Sequence, residues 1–171
     1  MPFIGRFPRY PIYPQTGGDP TENQNIFGML AQMTIAPLTT ANIELRTGNT
    51  SLKIADFDIN FLDGMIDYSI IEDPTLVVGT QEIFIGNADR TSSVVSTARA
   101  FSNPTAISGG TMLTALTHFG EDLDIVNAGG QEFKLLDFVS LKTNVSYIFQ
   151  FKNPDPLITV TNLHFGILWA E

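Results

Sequence analysis

The side chains with the chemistry to act as ligands, acids or nucleophiles are few and scattered. His118 and His164 fall in separate strand-like segments, and a transition-metal site needs at least one more convergent ligand. The chain has no cysteine, which removes thiolate metal sites, cysteine nucleophiles and disulfides together. Asp56-Phe57-Asp58-Ile59-Asn60 has the acid spacing that opens a calcium loop. Its sixth position, where such a loop turns on glycine, is Phe61, and no Glu stands at the twelfth. The alternation with Phe57 and Ile59 reads instead as the solvent face of a strand. Glu121, Asp122 and Asp124 follow Gly120 and read as a solvated acidic loop, with a cation or a basic partner patch as the second use.

No serine sits in G-x-S-x-G, and no glycine-rich phosphate loop opens a helix. Ser108-Gly109-Gly110 is too generic to carry a role, and no carboxylate pair stands out for glycoside chemistry. Asn49-Thr50-Ser51 and Asn144-Val145-Ser146 match the glycosylation pattern, but the N-terminus lacks the continuous apolar stretch of a signal peptide. The sequence therefore nominates no catalytic residue, no metal ligand and no cofactor. The expectation is a protein that is not an enzyme.

The elements that would position any chemistry follow from composition and periodicity. The chain has 171 residues, enough for one domain with its own core plus a tail. Eighteen acids against nine bases give a formal charge of −9, the opposite of a nucleic-acid footprint. No apolar run approaches the roughly 20 residues of a membrane-spanning helix. Charged residues make up only 16%, while Phe numbers 13 and Gly 14. That balance suits an all-β protein with many turns and a surface partly covered by neighbours.

Residues 1–20 stand apart. They hold Pro2, Pro8, Pro11, Pro14 and Pro20, interleaved with Phe3, Arg6, Phe7, Arg9, Tyr10 and Tyr13. Proline fixes φ and drives the preceding residue to extended geometry, so this stretch is neither helix nor central strand. Ordering it costs roughly 20–40 kcal/mol of backbone entropy. Aromatics and arginines are the usual anchors of protein interfaces. The six named aromatic and arginine side chains are thus the candidate partner-binding residues of an arm that reaches on the order of 60 Å when extended, with packing on its own domain and a disordered tail as the alternatives.

Residues 1–40 are read as arm and linker, with a short helix over Asn25 to Met33, and 41–171 as the folded domain. From Ala41 onward strand follows strand. Ile43 and Leu45 share a face. Leu52 and Ile54 change parity with Phe57, Ile59 and Phe61, which predicts a bulge near Ala55 or two strands meeting there. Strands are read over 65–71, 75–79, 81–87, 92–101, 106–119 and 132–141. Val145, Tyr147, Phe149 and Phe151 share the face of the clearest strand, and Asn153-Pro154-Asp155-Pro156 closes it. Leu163, Phe165, Ile167 and Trp169 share a face of the last strand, with a bulge near Thr161-Asn162 to reconcile Ile158 and Val160. Tyr147 and Trp169, at in-facing parity, are read as core. The fold class predicted is an all-β antiparallel sandwich, jelly-roll-like, with an extended N-terminal arm.

Two stretches carry a resemblance. Ser146, Tyr147, Ile148, Phe149, Phe151 and Asn153, followed by Trp169 and Glu171 in the final strand, resemble the closing hairpin of small virion proteins of tailed bacteriophages. Gly79, Thr80, Ile83, Ile85, Asn87 and Arg90, then Ser108-Gly109-Gly110-Thr111, resemble the central region of the same proteins. The arm departs from that pattern in its wealth of proline and aromatics. The resemblance implies a capsid decoration, cement or head-fibre subunit made in a host cytoplasm and carried in the virion. It also implies a homo-oligomer, trimer favoured, whose arm lies on the major capsid protein or other virion proteins, without nucleic acid or membrane. A tail or fibre adaptor and a carbohydrate-binding sandwich of the virion are the alternatives.

Overall fold

A computed structural model describes residues 25–61, 63–79, 81–89, 91–119 and 140–171. Within them the alternation of apolar and polar residues builds antiparallel strands. They are β1 (Ile26–Ile35), β2 (Thr40–Arg46), β3 (Leu52–Asn60), β4 (Met65–Glu72), β5 (Thr75–Val77), β6 (Gln81–Ile83) and β7 (Ile85–Asn87), followed by β8 (Arg99–Ser102), β9 (Thr105–Ser108), β10 (Thr111–Phe119), β11 (Ser140–Leu141), β12 (Ser146–Lys152) and β13 (Val160–Ala170). One sheet runs β11-β3-β13-β1-β7 and a second runs β10-β4-β12-β2-β8-β6, with β5 and β9 as a separate ribbon. No helix in the described residues is long and apolar enough to cross a membrane.

The two main sheets face each other across a layer of aromatic rings. Phe57 and Phe165 come from the five-stranded sheet; Tyr68, Phe149 and Phe151 come from the six-stranded one. The Phe165 centroid lies 5.1 Å from those of Phe149 and Phe151 and 5.3 Å from that of Phe57. Tyr68 stands 5.2 Å from Phe57 and 5.4 Å from Phe151. Edge-to-face and offset contacts at these spacings add to the roughly 1.5–3 kcal/mol that each buried ring contributes by leaving water. Tyr147 and Trp169 are fully buried, as their parity predicts. Tyr147 donates its hydroxyl to Glu72 and accepts the Lys142 N–H.

Both predicted bulges form. Leu168 pairs with Asp56 and Trp169 with Ile54, so Ala55 is the extra residue. Met33 pairs with Leu163 and Ile35 with Val160, so the extra residue lies at Thr161-Asn162, where Asn162 takes φ 52°. Each bulge restores inward parity to the apolar residues on both sides of it.

Two readings are corrected. The segment Asn25 to Met33 holds no helix: Ile26–Ile35 is a strand between β13 and β7. The five-stranded sheet thus takes in Ile26–Ile35, which the sequence reading places in the linker. Phe27, Met29 and Ile35 are buried and Ala31 and Met33 pack against the core, a period of two that only a strand turns to one side. Gly28 fits the strand because a Cβ there would collide with Leu168. The strand read over 92–101 is confined to Arg99–Ser102; the preceding stretch is held by turns, with Ser92 and Ser96 hydroxyls accepting the N–H groups of Val94 and Ala98.

Residues 73–110 form an insertion between β4 and β10, which themselves pair, with Thr111 opposite Glu72. The insertion adds β8 and β6 beside β2 and lays β7 beside β1. β6 and β7 are separated by Phe84 alone, so the chain passes from one sheet to the other across that residue.

Candidate functional site

The insertion leaves β1 with an incomplete neighbour. β7 pairs only with Phe27, Gly28 and Met29. Among the described residues no strand lies beside β1 on that edge from Leu30 onward. Ala88 donates its N–H to the Ile26 carbonyl (2.8 Å). Strand alternation then turns the N–H and C=O of Leu30, Gln32 and Thr34 to the same edge. On the opposite edge Glu171 donates to the Asn25 carbonyl (3.1 Å), which sets the odd residues toward β13.

A cleft of about 370 Å³ opens along this edge, lined by Leu30 to Met33, Ala41 to Ile43, Gln81 to Phe84, Ser102 and Asn103. Phe84 is 85% exposed and Leu30 59% exposed. Ile83 and Ile85 both pack against the core, and the residue between them is forced outward. The Phe84 ring leans over Gly86, where a Cβ would meet it at 3.2 Å. Of the polar lining, Glu82 is held by Arg99 (2.8 and 3.1 Å) and Asn42 accepts from Gln150 (3.1 Å).

On the outward face of the six-stranded sheet Glu44 is fully buried. Its Oε1 accepts from Arg46 (2.9 Å) and from the Ser146 hydroxyl (2.8 Å), while Oε2 has no hydrogen-bond partner among the described residues. Arg46 and Arg99 lie opposite one another and both guanidinium groups stack on Phe101, at 5.5 and 5.1 Å from its centroid. Cation–π contact and the flanking Glu44 and Glu82 offset their repulsion.

The nominated arm residues Phe3, Arg6, Phe7, Arg9, Tyr10 and Tyr13 lie outside the described residues, as do Glu121, Asp122 and Asp124. His164 is on β13 opposite Gln32 and Asn60, whereas His118 is on β10 in the other sheet. Asp56 and Asp58 occupy the exposed face of β3; the Asn60 amide donates to Asp58 and the Phe57 N–H to Asp56. Among the described residues no three His, Asp or Glu side chains converge as a metal-binding group.

Sequence reasoning misses the open edge, because Asn25 to Met33 reads as helix, and misses Phe84. Its signal was present: an aromatic at the wrong parity inside Gln81–Asn87. The chain matches no family model, no curated protein and no solved structure.

Proposed function

We propose that this chain is a structural virion protein that decorates or cements the capsid of a tailed phage, docking on the major capsid protein through its N-terminal arm. The observation that carries the reading is the strand order. Setting aside the insertion, the sheets read β1-β13-β3-β11 and β2-β12-β4-β10. Successive strands cross between sheets everywhere except at the β4–β10 hairpin. That interleaving supports a double-sheet jelly roll, an architecture that recurs in viral capsid and lectin domains. Fold alone does not fix function; the arm composition and the phage-virion resemblance supply the rest.

The test is co-sedimentation of the full chain with particles of the phage whose genome encodes it. Binding is expected, and replacing Phe3, Phe7, Tyr10 and Tyr13 together by Ser should abolish it while the circular dichroism spectrum stays unchanged. Undiminished binding by that variant defeats the arm's role. A carbohydrate-binding reading draws on Phe84 beside the amides of Gln32, Asn42, Gln81 and Asn103. Specific signals on a glycan array, lost in Phe84→Ala, would replace the first reading with that one.

A further inference from the structure

We infer that the open edge of β1 is a strand-addition site, and that its occupant is the N-terminal arm of a second copy of this chain. The inference rests on the proposed reading of the arm as a docking element; it assigns residues 3–7 to a sister subunit and leaves the rest of the arm to the capsid protein.

Three observations converge on the site. The backbone groups of Leu30, Gln32 and Thr34 face an edge that β7 vacates after Met29. An unpaired edge of this kind is a template for another chain. The cleft runs beside the same residues, with room for side chains of an added strand. Phe84 and Leu30 offer exposed apolar surface at its rim. Peptide recognition by strand addition uses this combination: main-chain bonds supply affinity and flanking pockets select side chains.

The arm has the matching chemistry. Phe3-Ile4-Gly5-Arg6-Phe7 is free of proline between Pro2 and Pro8, so each of its residues has an N–H to donate. Its five residues equal the length of the open edge, Leu30 to Thr34. Residues 1–18 carry Arg6 and Arg9 and no acid, in a chain whose formal charge is −9. Attraction between the arm and the rest of a copy is therefore built in.

A second copy is favoured over the chain's own arm by where the arm departs. It enters β1 at Asn25, the end of the strand remote from the cleft. On the edge side that entry is walled by β7 and by Ala88 bonded to Ile26. From Asn25 back to Phe7 the chain spans up to about 60 Å, enough to cross to a neighbour. An arm passed head-to-tail from copy to copy makes a heterologous contact, which closes into a ring when the rotation permits.

The test uses full chains, half of them ¹⁵N-labelled, refolded together with the photo-cross-linking residue p-benzoyl-phenylalanine at Phe84. The expected result is cross-linked peptides joining position 84 to residues 1–16 with mixed isotope labels. Gln32→Pro removes an edge-facing N–H and leaves the β13 ladder intact, a change tolerated on edge strands. It should cut the mixed-label yield at least about tenfold with little change in the thermal midpoint. Cross-links of matched label only would assign the site to the chain's own arm and overturn the inference; so would their absence, or full yield in Gln32→Pro. Particle binding without mixed-label cross-links sinks this inference and leaves the proposed function standing. Mixed-label cross-links without particle binding do the reverse.

Discussion

The aromatic centre and the insertion of residues 73–110 solve the same problem in opposite ways. In the centre, long strands from two sheets bring Phe57, Tyr68, Phe149, Phe151 and Phe165 together, and nearly every apolar side chain is covered. Among the described residues of the insertion no strand exceeds four residues, and Val77, Phe84 and Val95 are more than half exposed. Anchoring there comes from polar and close backbone contacts: Glu82 with Arg99, and the Glu171 carboxylate with Ser96, Thr97 and Trp169. The lesson is a division of labour. Apolar burial in the centre sets stability, while the insertion spends little of its apolar surface on folding and leaves it available to a partner.

Phe165→Ala breaks the comparison hardest. It removes a ring with three aromatic neighbours and should cost about 3–5 kcal/mol, read as a large fall in the urea midpoint. A loss under about 1 kcal/mol would mean that the centre is not the seat of stability. Gly79→Ala probes whether the insertion is nonetheless seated firmly. Its Cβ would strike the Ser102 carbonyl, and overpacking there should cost about 1–3 kcal/mol. A neutral result would show that the segment around Gly79 shifts freely over β8.

Tyr68→Phe sharpens the account of the centre in the other direction. The Tyr68 hydroxyl is buried with no partner among the described residues, and burial pushes its pKa well above the usual tyrosine value. Deleting the hydroxyl should be neutral or stabilising by about 1 kcal/mol. A clear loss of stability would reveal a partner for it.

Acid should loosen the insertion before the centre. Burial raises the Glu171 carboxyl, but hydrogen bonds from Ser96, Thr97 and Trp169 together hold it below its ordinary value. A carboxyl with a depressed folded pKa stabilises above its unfolded value of about 4.3. That contribution is lost as pH falls through the folded value. Between pH 5 and pH 3, hydrogen-exchange protection around Ala98 should fall ahead of that in β12 and β13, and Glu171→Gln should remove the difference. The smallest effect belongs to Phe84→Ala, within about 0.5 kcal/mol of the parent in stability. A larger loss would make Phe84 part of the folded core rather than of a docking surface.

Much of this architecture was legible in the order of residues. Alternation identified the strands of the centre, and changes of parity located both bulges, because inward and outward positions are a local property of an extended chain. Tyr147 and Trp169 could be assigned to the core on the same ground. Pairing is not local. Phe27, Met29 and Ile35 suit a strand only where β13 supplies the ladder, and without that partner Asn25 to Met33 reads as helix. Glu44 lies at outward parity and should meet water; it is buried because Arg46 and Ser146 close over it and Phe101 pairs beside it. The sequence by itself determined that the chain is an all-β sandwich with an aromatic interior, since period-two burial needs no knowledge of the partner. Only the tertiary structure decided that β7 stops opposite Met29 and leaves the edge of β1 open among the described residues, because where one strand ends beside another depends on contacts between residues more than fifty positions apart.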